Sequence, residues 1–189
     1  LRHGTGNECE DRWLRFYQKG GDGEVDSNPI ARLAKGEVFQ LARGLGQVLS
    51  AQEAYARIIS APPTPELWGA KTAHTDEDEI GDYLGLADSG ESFYSYIDAD
   101  TGEYTRVGLI ERVARFVDTP EGAQLFDDNL TQKDLQSVLA DAKQSLPFAG
   151  IAPDTIDRMI QAARRSERIT RHKMNPNCPT LGERKDLCD

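Results

Sequence analysis

Few side chains in this sequence are of types that carry chemistry by themselves. There are three histidines, His3, His74 and His172, and three cysteines, Cys9, Cys178 and Cys188, among 32 acidic residues. His74 precedes Asp76, Glu77, Asp78 and Glu79. It lacks the His-x-x-x-His or Cys-x-x-Cys spacing of a metal site, and acidity at a helix start explains the run, so no metal is expected. Asp98, Asp100 and Glu103 present oxygens from one short stretch. A calcium loop counted from Asp98 needs glycine sixth and a carboxylate twelfth, and meets Glu103 and Leu109 instead, so a turn is expected there. Glu37 and Glu91 are the carboxylates to try for glycan hydrolysis, which needs a raised acid and a partner at a set separation. No P-loop, nucleophile elbow or dinucleotide fingerprint occurs, and no cofactor is expected.

Arg2-His3-Gly4 resembles the triplet that carries the phosphate-accepting histidine of the histidine phosphatase family. Leu33-Ala34-Lys35-Gly36, Leu41-Ala42 and Leu45-Gly46 resemble that family's first helix. Ile59-Ser60-Ala61-Pro62 and Ala70-Lys71-Thr72-Ala73 look like its next strand and helix start. The resemblance covers residues 1–86 and implies phosphoryl transfer through His3. Against this, no arginine lies between Pro63 and Gly69, and no second His-Gly or His-Asp pair follows. A phosphoryl site without paired cations and an acid can neither hold nor protonate its ester. With no strand expected ahead of Arg2, His3 is expected not to accept phosphate.

The elements that would position these groups are mostly helical. A short helix is expected from Glu8 to Lys19, broken at Gly20-Gly21-Asp22-Gly23. The next runs from a Ser27 or Asn28 cap and Pro29 through Ile30, Leu33, Val38, Leu41, Leu45 and Leu49, with Gly36, Gly44 and Gly46 explained by close packing. Ser50 with Glu53 forms a capping-box pattern ahead of Tyr55, Ile58 and Ile59. Thr75 opens a helix that Gly85 stops. Phe93–Ile97 and Tyr104–Val107 around an Asp/Gly turn predict a β-hairpin. Helices are then expected over Leu109 to Val117, after Thr119-Pro120 with Leu125 and Phe126, after Thr131, and from Pro153 through Ala163. The fold class is mainly α: about six helices around one hairpin near 93–107. Residues 1–173 form one domain, and 174–189 an irregular Cys- and Pro-containing tail.

Lys plus Arg number 22 against 32 Asp plus Glu, a formal charge of −10. That field repels phosphate backbones, so nucleic acid is an unlikely partner. The local excess from Arg164 to Lys173 fits a helix C-terminus. No apolar run approaches the length of a membrane span. The chain begins at Leu1 without Met or a recognisable signal peptide, so the compartment is read from its cysteines. Cys178 and Cys188 are expected to close the tail in a disulfide, stabilising by about 2–3 kcal/mol, with Cys9 left open as an alternative partner. An extracytoplasmic setting follows, periplasmic or secreted, with the cytoplasm as alternative.

Tyr94, Tyr96 and Tyr104 on the hairpin are candidate interface anchors, since tyrosine buries area at low entropic cost. Because every catalytic constellation is incomplete, the leading expectation is a soluble, non-catalytic binding or structural component of an assembly. Its partner would be another protein or the same chain. The alternative is a hydrolase acting on glycan or phosphate ester.

Overall fold

Leu109, Ile110, Val113, Ala114, Phe116 and Val117 recur at helical spacing, and all six side chains are buried. They form the centre of the computed structural model, which describes residues 1–8, 10–15, 25–61 and 75–173. Six α-helices and one antiparallel hairpin, with four short π or 3-10 turns, make up the regular structure among those residues: α1 (Lys35–Val48), α2 (Gln52–Ser60), α3 (Asp76–Leu84), β1 (Tyr96–Ile97), β2 (Tyr104–Arg106), α4 (Leu109–Val117), α5 (Gln132–Gln144) and α6 (Pro153–Thr170). The mainly helical class with a single hairpin is what the sequence predicts.

Buried side chains of α3, α4, α5 and α6 form one cluster with Trp13, Leu14, Leu125 and Phe148. Phe116 and Phe148 meet edge to face, with centroids 5.8 Å apart. The turn Glu10–Leu14 is stitched to α6 by Arg15, whose Nη1 donates to Glu167 O at 2.9 Å. A smaller cluster of Phe39, Ile59 and Ile97 lies where α1, α2 and β1 meet. No described helix is long and apolar enough to cross a membrane.

Local signals set several boundaries. Thr75 Oγ1 accepts from Asp78 N at 3.2 Å while Asp78 Oδ2 accepts from Thr75 N at 2.9 Å, closing a reciprocal cap. Gly85 ends α3 at φ 71°, in the left-handed region. Thr131 and Asp134 cap α5 in the same way, and Pro153 sits in the first turn of α6. The hairpin turn is built on Asp98, whose Oδ1 accepts from Asp100 N and Thr101 N at 2.9 and 2.7 Å.

Other expectations are corrected. The helix predicted from Ile30 begins only at Lys35, because the stretch before it is held from afar. Asn28 Nδ2 donates to Gly6 O at 2.9 Å, and Glu8 N donates to Leu33 O at 2.9 Å. Ser50 does not cap α2; its φ of 53° turns the chain, and Ala51 is the N-cap. The segment after Thr119-Pro120 runs as turns, not as a helix. Only Glu10–Leu14 of the first expected helix is a helical turn, of π type; residues 16–19 lie outside the described set. Gly36 and Gly46 do meet neighbours, Tyr104 and Tyr55, but Gly44 has nothing within 4 Å of an added Cβ. His3, expected beside no regular structure, forms a parallel bridge with Ser27, and its Nδ1 lies 2.6 Å from Ser27 Oγ.

Candidate active site

Lys35 is the first residue of α1, where the helix dipole disfavours a cation. Its ammonium is accommodated by aromatic faces, 5.5 Å from the Tyr94 centroid and 5.8 Å from that of Phe39. Among the described residues it makes no hydrogen bond and no ion pair within 4.0 Å. The nearest opposing influence is Asp76, at the start of α3. Burial pushes the Asp76 carboxyl above its ordinary range, the Lys35 charge pulls it back, and Glu79 pushes it further up. A half-buried lysine without a carboxylate partner is a cation held available for an anionic group.

Around Lys35 a narrow crevice is lined by Asn7, Phe93, Tyr94, Ser95, Ile110 and Glu111. Three distant segments therefore meet there: the start of the chain, the residues before β1, and α4. The first is brought in by backbone pairing: Gly4 N donates to Ser27 O at 2.7 Å, and a side chain at Gly4 would strike Val25 Cγ2 at 2.8 Å. Residues 93–94 are held by Glu77, whose Oε1 accepts from Phe93 N at 2.6 Å and Tyr94 N at 3.2 Å. Glu111 is 2% exposed; its Oε1 pairs with Arg115 Nη2 at 2.5 Å, and its Oε2 is buried without a hydrogen bond.

The residues singled out from sequence fall elsewhere. Glu37 Oε2 accepts from Ala34 N at 2.6 Å and so serves as a helix cap. Glu91 lines a separate acid-rich hollow with Glu77, Asp78, Asp82 and Arg106. Tyr94 is 5% exposed. Tyr96 is half-buried and its phenol donates to Glu77 Oε2 at 2.9 Å. Tyr104 is half-buried with the Arg115 guanidinium 5.1 Å from its ring centroid. Cys9, Cys178, Cys188 and His74 lie outside the described residues. Among those residues no group of three His, Cys, Asp or Glu side chains could hold a metal ion.

Sequence reasoning missed Lys35, Asp76 and Glu111. One signal was available: a lysine at the very start of a helix, against the dipole, is a local cost that asks for a reason. Glu111, by contrast, reads as one polar residue on an amphipathic helix, and nothing local marks it.

Comparison with known proteins assigns the region that holds Lys35 and Asp76. A family model described as NAD synthase matches residues 1–101, just over half of the chain. The NH(3)-dependent NAD(+) synthetase of Archaeoglobus fulgidus is 35% identical over 132 residues, covering 66% of this chain and 47% of that protein. The enzyme of the same name from Pyrococcus horikoshii is 31% identical, over 62% of this chain and 44% of the relative. That from Thermoplasma volcanium is 42% identical over 78 residues, 41% of this chain and 28% of the relative. The chain thus spans less than half the length of these relatives. No solved structure matches it.

These matches overturn the non-catalytic reading, which rested only on motifs that were incomplete. They also replace the hydrolase alternative, because the stretch likened to histidine phosphatases lies within the segment matched to NAD synthase. The extracytoplasmic, assembly-forming placement falls with them; its other support was a cysteine pair outside the described residues. From its first residue to the turn of the hairpin, the chain carries the NAD synthase pattern, and it belongs to the NAD synthase family.

Proposed function

We propose that this chain supplies part of the active site of an ammonia-dependent NAD(+) synthetase, with Lys35 holding a phosphate of the dinucleotide. The observation that carries this reading is the lysine itself: half-buried, set over two aromatic rings, and without an acidic partner in the described chain. NAD(+) contains a pyrophosphate, and a lysine acts on phosphate as a point charge. In a partly desolvated site that attraction is stronger than in water.

The chain spans less than half of its relatives' length, so the remaining groups of such a site would come from polypeptide beyond these residues. A protein partner, another chain or a second copy, is compatible with that. Nucleic acid is disfavoured by the net charge of −10. We place the protein in the cytoplasm, the alternative compartment that the sequence leaves open.

The test is equilibrium binding of NAD(+) to the chain and to Lys35→Met, which keeps the stem and removes the charge. Loss of one phosphate contact should weaken binding about tenfold, or about 1.4 kcal/mol. Equal binding by both proteins would remove Lys35 from the site.

A further inference from the structure

We propose that Tyr104, Glu111 and Arg115, all past the end of the segment that the family model matches, are positioning residues that fix the first turn of α1 and so hold Lys35. The inference rests on the reading of Lys35 as the phosphate-binding residue.

Gly36 follows Lys35 directly, and the Tyr104 ring fills the space where a side chain at Gly36 would stand. An added Cβ would lie 2.3 Å from Tyr104 Cε1 and 2.7 Å from both Cζ and Oη. The Arg115 guanidinium also lies against the ring, 5.1 Å from its centroid. Arg115 is in turn fixed by Glu111 Oε1, with Nη2 at 2.5 Å and Nε at 3.1 Å. Burial, with the Glu111 charge second, holds the Tyr104 phenol protonated well above the usual tyrosine range. The ring thus touches both Gly36 and the Glu111–Arg115 ion pair, so its setting depends on that pair. Glu111 also lines the crevice that Lys35 lines, so the buttress and the lysine share one wall. Glu37, on the same turn of α1, is the other carboxylate acting on the phenol.

The sequence states the same arrangement from the other side. A glycine in the first turn of a helix is a poor helix former. Its presence beside Lys35 is explained once Tyr104 needs the room.

The experiment replaces Gly36 by Ala and reads Lys35 directly, by NMR of the reductively 13C-methylated chain, with the Lys35 signal identified from Lys35→Arg. Ala in a helix ordinarily stabilises, so loss of position on Gly36→Ala must come from the collision. The expected result is a shifted Lys35 signal and at least tenfold weaker NAD(+) binding, both restored in Gly36→Ala/Tyr104→Ala. A second variant, Glu111→Gln, keeps the shape and removes the charge that holds Arg115. It should shift the Lys35 signal and weaken NAD(+) binding while the circular dichroism spectrum is retained. An unmoved Lys35 signal in Gly36→Ala, or a double variant no better than the single one, would overturn the proposal, as would an unmoved Lys35 signal in Glu111→Gln. A signal that shifts and is rescued in a protein that binds no NAD(+) would keep the buttress and remove the functional reading.

Discussion

Glu77→Ala is the substitution whose cost the structure states most directly. The carboxylate accepts three hydrogen bonds: Phe93 N at 2.6 Å, Tyr94 N at 3.2 Å and the Tyr96 phenol at 2.9 Å. Phe93 and Tyr94 are buried, so their amides have no cheap route to water. Tyr96 is half-buried, and its hydroxyl can turn outward. Each orphaned amide costs about 1–3 kcal/mol, and the phenol adds little. The expected loss is therefore about 3–4 kcal/mol, or roughly 10 °C in melting temperature for a chain of this size. Urea denaturation followed by far-UV circular dichroism gives the free energy. Near-UV ellipticity reports whether the tyrosines lose their fixed setting first. Glu77→Gln keeps an acceptor for the amides and should cost about 1 kcal/mol. A loss below about 1 kcal/mol for Glu77→Ala would mean that residues 93–94 are held by their packing, and the reasoning about how Tyr94 reaches Lys35 would fail.

Two further outcomes follow from buried polar groups. Tyr96 and Tyr104 are both raised well above their ordinary 10.0, mainly by burial, so two phenols should ionise well above that value in an absorbance titration. Because the native state keeps protons that the unfolded chain releases above pH 10.0, stability should fall as pH rises past that value; a flat profile there would contradict the burial of both phenols. Arg15→Ala should cost about 1–3 kcal/mol, since it removes the buried hydrogen bond to Glu167 O at 2.9 Å and unties residues 10–15 from α6, while Glu167 keeps Arg171 at 2.6 Å. A chemical denaturation midpoint within error of the parent would refute that.

What was legible in the sequence is what short-range chemistry decides. Thr75 with Asp78 and Thr131 with Asp134 cap through contacts three residues apart, and Gly85 stops a helix by its own backbone freedom. The hairpin was legible because Asp98 folds its own turn. The failures sit where a distant group outbids a local one. Residues 30–33 have helical periodicity, but Asn28 and Leu33 are tied to Gly6 and Glu8 at the start of the chain. Ser50 and Glu53 carry the letters of a cap, yet the chain turns back at Ser50 to pack α2 on α1, with Tyr55 against Gly46. Lys35 belongs to the same class: its aromatic neighbour Tyr94 is delivered by Glu77 from another helix, which no window on the sequence contains.

The family match ends at residue 101, inside the turn between β1 and β2, while the physical unit does not end there. Tyr104 lies just past that limit and occupies the space beside Gly36, well inside it. Leu109, Ile110, Val113 and Phe116 share one buried cluster with Ile80, Leu84 and Phe93 from the matched segment. Cutting the chain at residue 101 would remove the second strand of the hairpin and uncover that apolar surface, so the matched segment could not keep Lys35 placed by itself.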